Sequence, residues 1–202
     1  MEKKELELYI HIPFCVRKCN YCDFLSFPAD EDTQRQYVKA LCKEIFYYGA
    51  HCRDYVVSTV YIGGGTPSWL WESDMAEIMD AVHKNFALLP DAEVSVECNP
   101  GTVTAQKFAV YRQSGINRIS LGLQSAQNVE LKMLGRIHTW EQFLKTYELA
   151  RAGGFSNINV DLMSSLPGQH TATYADSLQK VCRLKPVSYT HLRAHETRHD
   201  LV

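Results

Sequence analysis

Cys15, Cys19 and Cys22 fall within eight positions of one another, spaced C-x3-C-x2-C in the stretch HIPFCVRKCNYCDF (11–24). A deprotonated thiol is a soft metal ligand, and spacing this tight wraps three thiolates around one cubane iron–sulfur cluster. A four-iron cluster held by three cysteines leaves one iron without a protein ligand, a position open to a small chelating molecule. The same residues also admit a closed zinc site completed by a distant Cys42, Cys52, Cys98 or His11. Zinc sites usually draw their ligands from two near pairs, a pattern absent here. The remaining cysteines, Cys42, Cys52, Cys98 and Cys182, fall on helical or β-like segments and read as small buried hydrophobes.

Further polar residues stand at the ends of apolar runs. In GGGTP (63–67), the absence of side chains at Gly63, Gly64 and Gly65 lets backbone groups approach a ligand closely; the alternative is a glycine turn whose exit Pro67 fixes. Glu97 and Asp161 each close an apolar stretch, where a carboxylate accepts from ribose hydroxyls or an ammonium, or simply bridges a structural rim. Gln124 both donates and accepts, and the planar fork of Arg136 suits a carboxylate, although alone it reads as a surface arginine. Tyr9 and Tyr21 flank the cysteine loop and also suit plain aromatic packing. His11, a lone histidine after a strand, reads as structural.

These residues need a scaffold that brings strand ends together. Short β-rich runs at 6–12, 58–64, 92–98, 117–123 and 157–163 alternate with segments of helical period. The helix over 33–48 is expected to bury Tyr37, Leu41, Ile45 and Tyr48, and that over 73–86 to bury Met75, Ile78, Met79, Val82 and Phe86. Thr102 or Thr104 offers an N-cap ahead of a stop at Gly115, and the helix over 140–152 ends at Gly153-Gly154. Repeated βα units mean an α/β fold, either a barrel or an open doubly wound sheet. Functional groups at the C-terminal ends of successive strands favour the barrel.

The chain has 202 residues, a formal net charge of -2 and scattered basic residues, so it offers no field for nucleic acid or an anionic membrane. No apolar run is long enough for a signal peptide or a membrane span, and seven cysteines, an odd number, suit a reducing compartment. A cytoplasmic protein is expected. After Val187 the pattern changes to SYTHLRAHETRHDLV, in which His191, His195 and His199 imitate a helical metal site. That segment resembles translated adaptor sequence, so the expected domain is 1–187, with 188–202 a non-native tail.

The cysteine spacing after the first strand resembles the signature of the radical S-adenosylmethionine (radical SAM) superfamily. More narrowly, YIHIPFC, YIGGGTPS, VECNP, LGLQS and NVDLMSSLPGQ are similar, in order, to blocks of the oxygen-independent coproporphyrinogen oxidase family and its heme-chaperone relatives. The resemblance covers about Leu8 to Pro186 and implies a partial (β/α)6 barrel, C-terminally truncated. It implies that Cys15, Cys19 and Cys22 hold a [4Fe-4S] cluster whose open iron is chelated by SAM, and that the reduced cluster can cleave SAM to a deoxyadenosyl radical. It also assigns SAM contacts to Tyr9, Tyr21, Gly64, Gly65, Thr66, Glu97, Gln124, Arg136 and Asp161, and no separate catalytic residue. In the decarboxylase branch a further cysteine stands two positions after the third; here Phe24 does, as in the heme-chaperone branch. The chaperone branch implies heme or porphyrin as cargo of the full-length protein and a heme-acceptor protein as partner.

Overall fold

A computed structural model describes residues 4–193. Its elements alternate: β1 (Lys4–Ile12), α1 (Glu31–His51), β2 (Tyr55–Gly64), α2 (Glu72–Asn85), β3 (Leu88–Cys98), α3 (Ala105–Gln113), β4 (Arg118–Gln124), α4 (Asn128–Met133), α5 (Trp140–Ala152), β5 (Asn157–Ser164), α6 (Thr171–Leu184) and β6 (Ser188–Arg193). The six strands form one sheet in the order β1-β2-β3-β4-β5-β6, with every neighbouring pair parallel. A doubly wound sheet reverses its strand order at a switch point, whereas a barrel wall keeps sequence order. The strand order therefore selects the partial barrel.

One face of the sheet packs under the helices. Val96 of β3, Ile119 and Leu121 of β4, and Ile158, Val160 and Leu162 of β5 are all fully buried in a single core with the inner sides of the helices. The opposite face carries Ser95, Ser120, Asn159 and Asp161, so alternation along each strand turns polar groups toward the barrel interior.

Helix ends follow local chemistry. Asp30 caps α1 by accepting from the Thr33 N–H at 2.8 Å, Thr104 caps α3, and Thr139 with Gln142 forms a capping box on α5. The α2 face is buried at Met75, Ile78, Met79 and Val82 as the period requires. On α1 the buried stripe is Gln34, Val38, Ile45 and Gly49, and Tyr48 is exposed, contrary to the sequence expectation. The reason is a close approach: a Cβ at Gly49 would stand 2.6 Å from Asn85, so α1 turns its glycine rather than Tyr48 toward the end of α2.

The sheet continues past Val187, where a change of character was expected. Ser188 pairs with Asn159 and Thr190 with Asp161, a register made by backbone groups whatever the side chains are. His191 lies on this strand, so the helical spacing of the three histidines does not apply to it; His195 and His199 fall outside the described residues. Among the described residues no helix is long and apolar enough to cross a membrane.

Candidate functional site

The loop between β1 and α1 carries the three clustered cysteines and is tied at both sides. Phe14 and Phe27 form a parallel bridge, with the Cys15 N–H donating to Phe27 O at 3.1 Å and the Phe27 N–H to Pro13 O at 2.9 Å. On the other side Arg17 Nη2 donates to Gly135 O at 2.6 Å, and Asn20 donates through its backbone to Leu134 O and through its side chain to Met133 O. Each thiol has its own polar neighbour. Thr66 Oγ1 donates to Cys15 Sγ at 3.4 Å, Arg136 Nη1 lies 3.8 Å from Cys19 Sγ, and Ser26 Oγ lies 3.9 Å from Cys22 Sγ. All seven cysteines are free.

The GGGTP loop after β2 lies against this loop backbone to backbone. Gly65 N–H donates to Ile12 O at 2.8 Å and Thr66 N–H to Phe14 O at 2.7 Å. A Cβ at Gly65 would stand 2.7 Å from Phe14 O, a collision between two backbones that no rotamer relieves. Gly64 has φ +113° and lies under the His11 ring. His11 itself donates from Nε2 to Leu25 O at 2.9 Å and accepts from Tyr9 OH at Nδ1, a structural arrangement.

Together these loops and the polar sheet face enclose a cavity of about 400 Å3. Cys15, Cys19, Cys22, Tyr21, Gly64, Gly65, Thr66, Glu97, Gln124, Arg136 and Asp161 all line it. Tyr9 does not; it is 61% exposed and stacks on Tyr61, which does. Phe24 stands at the same cavity, half exposed.

Glu97 accepts from Tyr61 OH at 2.7 Å and from the Gly64 N–H at 3.0 Å. Burial pushes its carboxyl above the usual carboxylate range, opposed by those two hydrogen bonds. Asp161 accepts from Ser120 Oγ and Asn159 Nδ2, and burial, with the Glu97 charge added, raises it to about 6. Two buried polar atoms on lining residues have no partner: Gln124 Oε1 and Arg136 Nε. An acceptor and a cationic donor left unsatisfied at a cavity wall suit a ligand that brings an N–H or O–H and an anionic group. A chelating amino acid moiety with a ribose has these groups, and soft thiolates suit iron and sulfide, so the donor set fits both groups expected from the sequence.

Among the described residues no three His, Cys, Asp or Glu side chains converge as a single metal ion requires. A cubane spreads its thiolates over different irons and does not need that convergence. Cys42 and Cys52 belong to α1 and its C-cap and do not line the cavity. Of the cysteines expected to be buried, only Cys98 is; Cys42 and Cys52 are half-buried and Cys182 is exposed. Tyr61, Asn99, Arg118, Ser120 and Asn159 line the cavity without having been singled out from sequence. For Arg118, Ser120 and Asn159 the signal was the period of two: RISLGLQ places a polar residue or glycine at every second position, and NINVDLM does so as far as Asp161, in strands that, covered on both faces, would be apolar throughout. Tyr61 and Asn99 lie outside these two stretches.

The Radical SAM superfamily profile matches residues 9–181. The chain is 41% identical to the heme chaperone HemW of Escherichia coli over 182 residues, 90% of this chain and 48% of that protein. It is 35% identical to HemW of Bacillus subtilis over 185 residues, with the same two shares. The chain thus spans about half the length of the curated relatives it matches. Among solved structures it superposes on coproporphyrinogen III oxidase (HemN) from Escherichia coli, described as a radical SAM enzyme, with TM-score 0.88 and 29% identity, covering 96% of this chain and 44% of that one. With a profile match over most of its length, and with a sequential parallel sheet that carries three thiols at one rim, this chain belongs to the Radical SAM superfamily, whose cofactors in general are a [4Fe-4S] cluster and SAM.

Proposed function

We propose that this chain is the cofactor-binding part of a heme chaperone-like protein, in which Cys15, Cys19 and Cys22 hold the cluster and the cavity they border takes SAM. One observation carries the reading: three cysteines, Glu97, Asp161, Gln124 and Arg136 line one cavity of about 400 Å3, and the last two each carry a buried polar atom without a partner. When bound, the cluster and SAM supply one-electron chemistry at the SAM sulfonium. The protein's own part is binding and orientation. Arg136 offers its free Nε–H to the SAM carboxylate, Glu97 and Asp161 accept from its ammonium or ribose hydroxyls, and Gln124 accepts at its free Oε1. Gly64, Gly65 and Thr66 present backbone close to the ligand, and Tyr21 packs between Arg136 and the Leu134, Met163 and Leu166 cluster. Tyr9 lies outside the lining and acts through Tyr61, on which it stacks.

Phe24 supports the chaperone branch over the decarboxylase: an apolar ring lines the cavity at the position where that branch has a cysteine. The heme-chaperone names of the relatives support heme as cargo of the longer protein. An acceptor protein as partner is proposed from the chaperone branch the motifs resemble, and the cytoplasm as location from the odd, clustered cysteines. A second reading, oxidative decarboxylation of coproporphyrinogen III, draws on the resemblance to HemN. Anaerobic reconstitution tests the core of the proposal: about four irons and four sulfides per chain are expected, with an EPR signal that SAM alters. Zinc bound without iron or sulfide would overturn it. For the full-length protein, a heme complex on titration supports the chaperone, and protoporphyrinogen formed from coproporphyrinogen supports the second reading.

A further inference from the structure

Asn99 has no role in the binding scheme above, yet it joins two walls of the cavity. Its Oδ1 accepts from Arg136 Nη2 at 2.6 Å, and its Nδ2 donates to Thr66 Oγ1 at 2.9 Å. The direction of these bonds is fixed by chemistry. A guanidinium only donates, so the amide oxygen must face Arg136 and the amide nitrogen must face Thr66. The Thr66 hydroxyl, already accepting from Asn99, has its one hydrogen left for Cys15 Sγ at 3.4 Å. Arg136 is held by Asn99 Oδ1 and by Gly122 O, both at 2.6 Å from Nη2, which leaves Nη1 on Cys19 Sγ. Gly122 keeps this space open: a Cβ there would stand 2.8 Å from Asn99 Oδ1 and 3.2 Å from Arg136 Nη2.

We propose that Asn99 is a positioning residue that sets the reduction potential of the cluster, by holding Thr66 and Arg136 as hydrogen-bond donors to the sulfurs of Cys15 and Cys19. The inference rests on the reading of those cysteines as cluster ligands. A hydrogen bond to a ligand sulfur stabilises the more electron-rich, reduced cluster, so each such donor raises the potential. Losing the Asn99 amide N–H frees Thr66 to turn away, and the potential falls.

The test is a redox titration of the anaerobically reconstituted chain, followed by EPR, with iron and sulfide measured in every variant. N99D keeps an acceptor for Arg136 but replaces the donor to Thr66, whose hydrogen then turns to the carboxylate. T66V removes the hydroxyl at nearly constant shape, and T66S retains it. N99D and T66V are expected to lower the reduced-to-oxidised ratio at fixed poise by up to tenfold, which is about 59 mV for a one-electron couple. T66S is expected to match the parent, and the N99D shift should shrink in the T66V background. Unchanged potentials in N99D and T66V overturn the proposal. So does an N99D shift of equal size in both backgrounds, which charge alone would produce. If N99D holds no cluster, N99A in the same two backgrounds makes the comparison. A parent chain that assembles no cluster fails the underlying reading, a result distinct from an unmoved potential.

Discussion

Asp161 shows what the cavity does to a single group. Its carboxyl titrates at about 6 because burial disfavours the charge and Glu97 adds repulsion. The folded value lies above the ordinary one, so the folded state holds this proton more tightly than the unfolded chain. Stability from this group is therefore full below about pH 4 and is lost as the pH rises through about 6. Asp161→Asn removes the penalty, and thermal melts should show a gain on the order of 2 kcal/mol at pH 8 that vanishes at pH 4. Binding runs the other way: a carboxylate that receives a cation must be ionised, so SAM affinity in the parent should fall below about pH 6 and that dependence should flatten in the variant. Arg136 is a second residue-scale case. A lysine cannot reach Asn99, Gly122 and Cys19 together, so Arg136→Lys should weaken SAM binding at least about tenfold, roughly 1.4 kcal/mol, in equilibrium titration of the reconstituted protein.

At the scale of elements, the loops after β1 and β2 are stitched together by backbone, and glycine permits it. Gly65→Ala drives a methyl into Phe14 O, so one loop must move; a loss of about 1–3 kcal/mol and a fall in iron retained after reconstitution are expected from melts and metal analysis. Thr139→Ala removes the hydroxyl of the α5 capping box and should cost about 1 kcal/mol in denaturant unfolding, without changing iron content. Strands β1 to β5 were legible because short β-branched runs alternate with helical periods; β6 was not, because its polar, histidine-bearing residues break that pattern and it is placed by backbone pairing with β5. The short α4 was not: six residues carry too few turns for a period to show. Tyr48 was misplaced because helical period describes a free helix, whereas contact with Asn85 decides which side of the last turn faces inward. The polar interior of β4 and β5 was present in the sequence as alternation, broken in β5 at Met163, but alternation alone does not say whether water or a ligand fills the polar side.

For the whole molecule, β3 and β4 have a partner on each side, whereas β1 and β6 each pair with one strand among the described residues. Hydrogen exchange should therefore be slowest in β3 and β4 and faster along β6, with a graded profile between them. Exchange as fast in β4 as in β6 would contradict the strand order.

The amino-acid sequence by itself determined the thiol spacing, the βα alternation and the collection of polar residues at strand ends, because all three are set by local period and local chemistry. Only the tertiary structure decided which of those residues meet. Arg136, Asn99, Thr66 and Cys15 are joined by hydrogen bonds that span 37, 33 and 51 positions. Contacts of that reach depend on how the strands stand side by side in the barrel wall, and no local pattern encodes that order.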